Sequence, residues 1–202
     1  MRLNALLALS FMLALAAQVP AARAAQSACT AKPGYPAPNE PGQVFYLQRT
    51  SNANTVIYAL NFDGTGKVDA QHPVDVYWRR YAEKGQRKEL GFFERTFAFG
   101  ARYAPLKGAP GRYRAHLVSY PALEVEVEPV APGKARGLLE ISGRPAVLDC
   151  IYIELLTNSY IPEIGHIDIV GRTLEGDERV SERLFVDQRA AGMAPGDRPA
   201  QR

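Results

Sequence analysis

The sequence predicts an all-β domain, an antiparallel sandwich or barrel of about eight or nine strands with one short helix. Three observations carry this reading. Runs of β-branched and aromatic residues recur between residues 43 and 187, separated by Gly, Pro, Asn and Asp clusters at roughly 8–12-residue intervals, the rhythm of a sandwich or barrel. Leu123-Glu124-Val125-Glu126-Val127-Glu128 alternates strictly, which puts one face on a core and one in water. Only residues 88–98, with Leu90, Phe93 and Phe97, carry helical spacing, and Gly100 can end that helix in the left-handed region.

The elements follow in chain order. Arg2, the apolar run Leu6 to Ala17 and the motif Ala22-Arg23-Ala24 read as a signal peptide, residues 1–24, so the mature protein is expected in the periplasm or secreted. The apolar run is short for a bilayer span and no stop-transfer segment follows, so no transmembrane segment is expected. Residues 25–42 hold Pro33, Pro36, Pro38 and Pro41 and read as a Pro-rich linker. The β domain, 43–187, opens with strands at Val44–Gln48 and Thr55–Leu60. The second is apolar on both faces and belongs inside the body.

The stretch His72-Pro73-Val74-Asp75-Val76-Tyr77-Trp78-Arg79-Arg80-Tyr81 is the most distinctive strand. Alternation puts Val74, Val76 and Trp78 on an apolar face and Asp75, Tyr77, Arg79 and Tyr81 on a polar-aromatic one. The helix over 88–98 should plug one end of the body with its aromatics. Further strands are expected at Arg102–Leu106, Tyr113–Tyr120, Leu123–Glu128, Gly137–Ser142, Val147–Leu156, Gly165–Val170 and Arg179–Phe185. The Ala-, Gly-, Pro- and Arg-rich residues 188–202 read as a disordered tail.

Charge excludes one class of partner. Cleavage after Ala24 removes two of the 24 basic residues and none of the 21 acidic ones, leaving a net charge of +1 without a clustered basic face. No nucleic-acid partner is expected. The two cysteines, Cys29 and Cys150, can bridge in an exported chain, which permits the bond without demanding it.

Four side chains invite a metal test. Asn61, Asp63, Thr65 and Asp69 alternate around Gly66 as in a calcium loop, but the closing position holds His72 where a bidentate glutamate belongs. Weakly held calcium is the most this loop offers, and no other cofactor is expected. A turn using Asn, Asp and Gly for its backbone geometry explains the same residues. His166 and Asp168 share a strand face, and neither they nor His116 complete a metal or acid–base set. No nucleophile elbow, P-loop or dinucleotide fingerprint is present.

Tyr77, Arg79 and Tyr81 remain. Arginine pairs with carboxylates and tyrosines cover apolar bodies, so this trio is the expected ligand-binding set. A polar outer face with its arginines paired to glutamates accounts for the same residues. The reading is a non-catalytic binding module for a small amphipathic ligand or a cell-envelope partner. An uncharacterised periplasmic enzyme and a structural or interaction protein stand as alternatives.

Residues 43–185 resemble the DUF4833 family of bacterial domains of unknown function. The resemblance rests on Val56-Ile57-Tyr58-Ala59-Leu60-Asn61, the Asp63–Asp69 loop, the His72–Tyr81 strand and Phe97-Ala98-Phe99-Gly100. Ile151-Tyr152-Ile153 and Ile164–Gly171 extend it. It implies no activity, ligand or catalytic residue.

Overall fold

The computed structural model describes residues 35–156 and 163–185. The leader, Cys29, the first part of the linker and the 188–202 tail lie outside them. Eleven strands follow one another: β1 (Gln43–Arg49), β2 (Asn52–Leu60), β3 (Val74–Arg80), β4 (Gln86–Glu89), β5 (Ala101–Pro105), β6 (Tyr113–Leu117), β7 (Tyr120–Ala131), β8 (Lys134–Ile141), β9 (Arg144–Leu156), β10 (Glu163–Thr173) and β11 (Arg179–Phe185). All belong to one sheet, in the order β4-β3-β2-β1-β9-β8-β7-β6-β5, with β10 joining β9 to β11.

The sheet is open, which removes the barrel from the two expected architectures, and its strands exceed the eight or nine expected. It forks at β9. The first part of β9 pairs with β8 as far as Val147, and from Cys150 to Ile153 its partner on that side is β1, in parallel. Between these stretches the register against β10 shifts, since Val170 faces Cys150 while Gly171 faces Leu148, leaving Asp149 as an extra residue. A bulge of this kind bends a strand, and here it sits where β9 changes neighbour. Arg172 holds the bulged carboxylate, Nε to Oδ2 at 2.9 Å and Nη2 to Oδ1 at 2.9 Å.

Both arms of the fork turn apolar faces to one core. Phe45, Leu47, Val56, Tyr58, Val76 and Trp78 of the β1–β3 arm join Ala115, Leu117, Val125, Val127 and Ile141 of the β6–β8 arm. Phe45 and Tyr58 stack at 4.4 Å. A second apolar cluster lies on the other side of the sheet, with Tyr46, Ile57, Ala59, Tyr77, Cys150, Tyr152 and Val170. This explains the two-faced apolar pattern of β2, which supplies Ile57 and Ala59 to one cluster and Val56, Tyr58 and Leu60 to the other.

Residues 35–42 cross that outer side. Tyr35 OH donates to Thr50 O at 3.0 Å, Gln48 Nε2 donates to Pro36 O at 2.9 Å, and Pro38 is buried. The expected 88–98 helix is corrected. Gln86–Glu89 is an edge strand on β3, and the helix is confined to residues 92–98, π-helical over Glu94–Ala98. Its aromatics do not plug the body: Leu90 is buried and Phe99 packs on the core, but Phe92, Phe93 and Phe97 face solvent. The glutamate strand is part of β7, which lies between β6 and β8 inside the sheet.

Candidate functional site

Two of the trio read from the central strand, Tyr77 and Arg79, converge on a carboxylate from their own chain, while Tyr81 lies in the 3-10 turn Tyr81–Glu83 that follows β3. Alternation along β3 turns Tyr77 and Arg79 to the outer side, and the arm brings Glu40 over them. Arg79 Nη2 pairs with Glu40 Oε2, Tyr77 OH donates to the same oxygen at 3.4 Å, and Arg79 Nη1 donates to Gly85 O at 2.9 Å. Arg87 lies over the Tyr77 ring, its Cζ 3.8 Å from the centroid, and ties to Asp75 at 2.6 Å. Burial, reinforced by the Glu40 charge, pushes the Tyr77 phenol up to about 12. The same two causes raise Tyr81. The chemistry expected for an anionic ligand is therefore engaged by Glu40.

Removing Glu40 leaves the half-buried Arg79 guanidinium without its carboxylate. Glu40→Ala should cost about 2 kcal/mol in urea unfolding, because a polar group stripped of its partner keeps its desolvation cost. Glu40→Gln, which keeps an acceptor, should cost less than half as much. Equal losses for the two variants would show that the charge contributes nothing.

The 61–69 loop directs its oxygens inward to its own backbone. Asp63 Oδ1 accepts from Thr65 N at 2.8 Å, Thr65 Oγ1 at 2.7 Å and Lys67 N at 3.0 Å. These bonds, the Thr65 hydroxyl foremost, hold its carboxyl below the usual carboxylate range. Asn61 Nδ2 donates to His72 O at 2.8 Å, and Asp69 Oδ1 accepts from Gln71 N at 2.8 Å. Asn61, Asp63, Thr65 and Asp69 thus act as turn-forming side chains. Among the described residues no group of three or more His, Cys, Asp and Glu is placed to hold a metal ion.

His166 Nε2 lies 3.5 Å from Asp168 Oδ2, and Arg183 grips the same carboxylate at 2.6 and 2.8 Å. Arg183 first, then His166, lowers the Asp168 pKa, which weakens it as a base. His116 sits on β6, where its Nδ1 is 3.0 Å from Pro121 O. The three alternating glutamates are each matched to arginine: Glu124 to Arg114 at 2.6 Å, Glu126 to Arg112, and Glu128 to Arg136 at 2.6 Å. This is a cross-strand ladder, exposed at Glu124 and buried at Glu128, where Arg112 and Arg136 both reach the carboxylate.

One site escaped sequence reasoning. Between the arms, a cavity of about 260 Å³ is bounded by Leu47, Ile153 and Ile169 on one side and by Leu117, Leu123 and Ser119 of the β6–β7 hairpin on the other. Ser119 contributes one of the few polar side-chain groups in its wall; the rest is almost wholly aliphatic or aromatic. Each residue reads in the sequence as an ordinary inward-facing core position, so no local signal announces the space.

The family profile described as a domain of unknown function, DUF4833, matches residues 45–183. The chain belongs to the DUF4833 family. The match runs from β1 into β11, so the central strand, the 61–69 loop and all of the cavity wall except Leu184 and Phe185 are part of the DUF4833 domain, while Glu40 and the arm precede it. No curated protein and no solved structure matches the chain. Cys150 is buried in the outer cluster of the DUF4833 domain, and its expected partner Cys29 lies outside the described residues.

Proposed function

We propose that this DUF4833 domain is an exported, non-catalytic binding module whose small amphipathic ligand seats its apolar part between the two arms. The observation that carries the reading is the 260 Å³ apolar space. Interiors pack at crystal-like density with few voids larger than a water molecule. This space could take roughly nine groups of water size, enough for a short alkyl chain or a ring. Its walls belong to six strands, β1, β6, β7, β9, β10 and β11, so the shape is preformed, as in most small-molecule sites. The leader supports an exported setting, and a Cys29–Cys150 bond would fasten the arm upstream of Tyr35. In this reading Tyr77 and Arg79 serve the ligand indirectly, by fixing the arm through Glu40.

Decanoate titrated into residues 25–202 by calorimetry, with 1-anilinonaphthalene-8-sulfonate displacement as a second readout, tests the proposal. Leu123→Trp fills the cavity from the hairpin side, and it should weaken decanoate binding at least tenfold while the melting temperature holds or rises. Undiminished binding by a well-folded Leu123→Trp protein would overturn the assignment.

A further inference from the structure

We propose that the Phe92–Phe93–Phe97 tip docks the domain on an anionic lipid surface, a role separate from the cavity. The sequence Gly91-Phe92-Phe93-Glu94-Arg95-Thr96-Phe97-Ala98-Phe99-Gly100 puts four phenylalanines in ten residues, and the fold uses only Phe99 in its core. Phe92 and Phe93 are each 74 % exposed and Phe97 is 66 % exposed. Their rings touch one another, Phe92 to Phe93 at 5.6 Å and Phe93 to Phe97 at 6.3 Å, and form one patch. An aromatic side chain presents roughly 150–250 Å². Three at these exposures give about 400 Å², the size of the largest apolar patch on a typical monomer, where such patches mark interaction sites.

The tip is stiff. Glu94 caps it by accepting from Gly91 N at 2.8 Å, Arg95 N donates to Gly91 O at 2.9 Å, and Phe99 N donates to Glu94 O at 2.7 Å. At its root Phe99 meets Trp78 edge-on at 5.0 Å, and Arg49 lies over both rings at 5.3 and 5.6 Å. Gly100 closes the turn where no side chain fits, since a Cβ there would fall 1.8 Å from Arg95 O. Holding three phenyl rings in water on a rigid turn has no packing purpose within the domain.

Charge selects the occupant. Residues 79–102 contain seven basic and three acidic side chains, a surplus of four, while the whole chain is only +3, so all the rest sums to −1. The aromatic tip therefore stands on a stretch of net positive charge; Lys84 and Lys88 are exposed there, and Arg95, also exposed, pairs with Glu89 at 3.3 Å. Phenyl rings presented on one face bury at the boundary between headgroups and acyl chains, and flanking basic side chains are drawn to anionic leaflets. A second copy would bring the same positive surplus to the contact, and like charges oppose it.

Co-sedimentation of residues 25–202 with vesicles of 30 % phosphatidylglycerol in phosphatidylcholine, against pure phosphatidylcholine, reads the proposal directly. The expected result is binding to the anionic vesicles that falls at least tenfold in the variant Phe92→Ser, Phe93→Ser, Phe97→Ser. It should also fall several-fold between 0.1 M and 0.5 M salt. The three rings are exposed, so the variant should melt with the parent. Absence of vesicle binding, or equal binding by the variant, overturns the proposal. So does a dimer by light scattering that the variant dissociates, since the tip would then serve a second copy. Decanoate affinity, read separately, is unchanged in the tip variant.

Discussion

Gly171→Ala should destabilise the domain by roughly 3 kcal/mol or more, far beyond the usual cost of adding one methyl group. Gly171 lies in β10 between Leu148 of β9 and Val180 of β11, at the register shift that bends the sheet. A Cβ there would fall 2.2 Å from Val147 O and 2.8 Å from Ile141 Cδ1. Overpacking a core costs about 1–3 kcal/mol when side chains can shift. Here the nearest atom is a ladder carbonyl, and moving it breaks the pairing that carries β9 from one arm to the other. Gly165→Ala is the internal comparison. Its Cβ would meet Leu156 Cδ2 at 3.1 Å, the end of a flexible and partly exposed side chain, so its cost should stay below about 1 kcal/mol. Urea unfolding of both variants measures the contrast. A Gly171→Ala protein within 1 kcal/mol of the parent would mean that β9 and β10 can slip their register, contrary to the fork's geometry.

The same contrast between local pattern and long-range geometry separates what the sequence disclosed from what it concealed. Alternation along Val74–Arg80 was legible because the two faces of β3 meet different surroundings, one core and one polar arm. The two-faced β2 was legible for the converse reason, since both its sides are covered. Strand β4 was not: Gln86-Arg87-Lys88-Glu89 has no apolar residue, and its extended form is imposed by pairing with β3. The helical spacing of Leu90, Phe93 and Phe97 misled because only Leu90 of the three faces the core. Periodicity reports a buried stripe, and these rings were not placed for burial. The parallel match of Tyr46 to Cys150 joins positions with no local relation, so the fork was beyond reach. At the site, a tyrosine–arginine set suited to a carboxylate was readable in β3. That the carboxylate is Glu40 was not, because a Pro-rich stretch gives no sign of what it will cross. The cavity lies deeper still, since unfilled volume belongs to the arrangement of the arms and to no residue.

Trp78→Ala should cost about 3–5 kcal/mol, the range for removing a large aromatic side chain from a core. Trp78 is fully buried and is the only tryptophan, so circular dichroism must follow the unfolding. Its ring carries two loads. It fills the inner face of β3 against the opposite arm, and it supports Phe99 at the root of the aromatic tip. Its Nε1 is buried without a hydrogen-bond partner among the described residues. An unpaired buried donor costs about 1–3 kcal/mol. Trp78→Phe removes that donor while keeping a ring, so its net loss should be below about 2 kcal/mol, well short of the alanine variant. The two substitutions should also differ at the membrane. Loss of the ring frees Phe99 and loosens the turn, so Trp78→Ala should bind anionic vesicles more weakly at a temperature where it remains folded, although residue 78 never reaches the surface. Trp78→Phe should bind like the parent. Equal vesicle binding by both variants would show that the tip holds its shape without its root. Equal stability of the two, both without the indole donor, would show that an aromatic ring at this position adds nothing to the core.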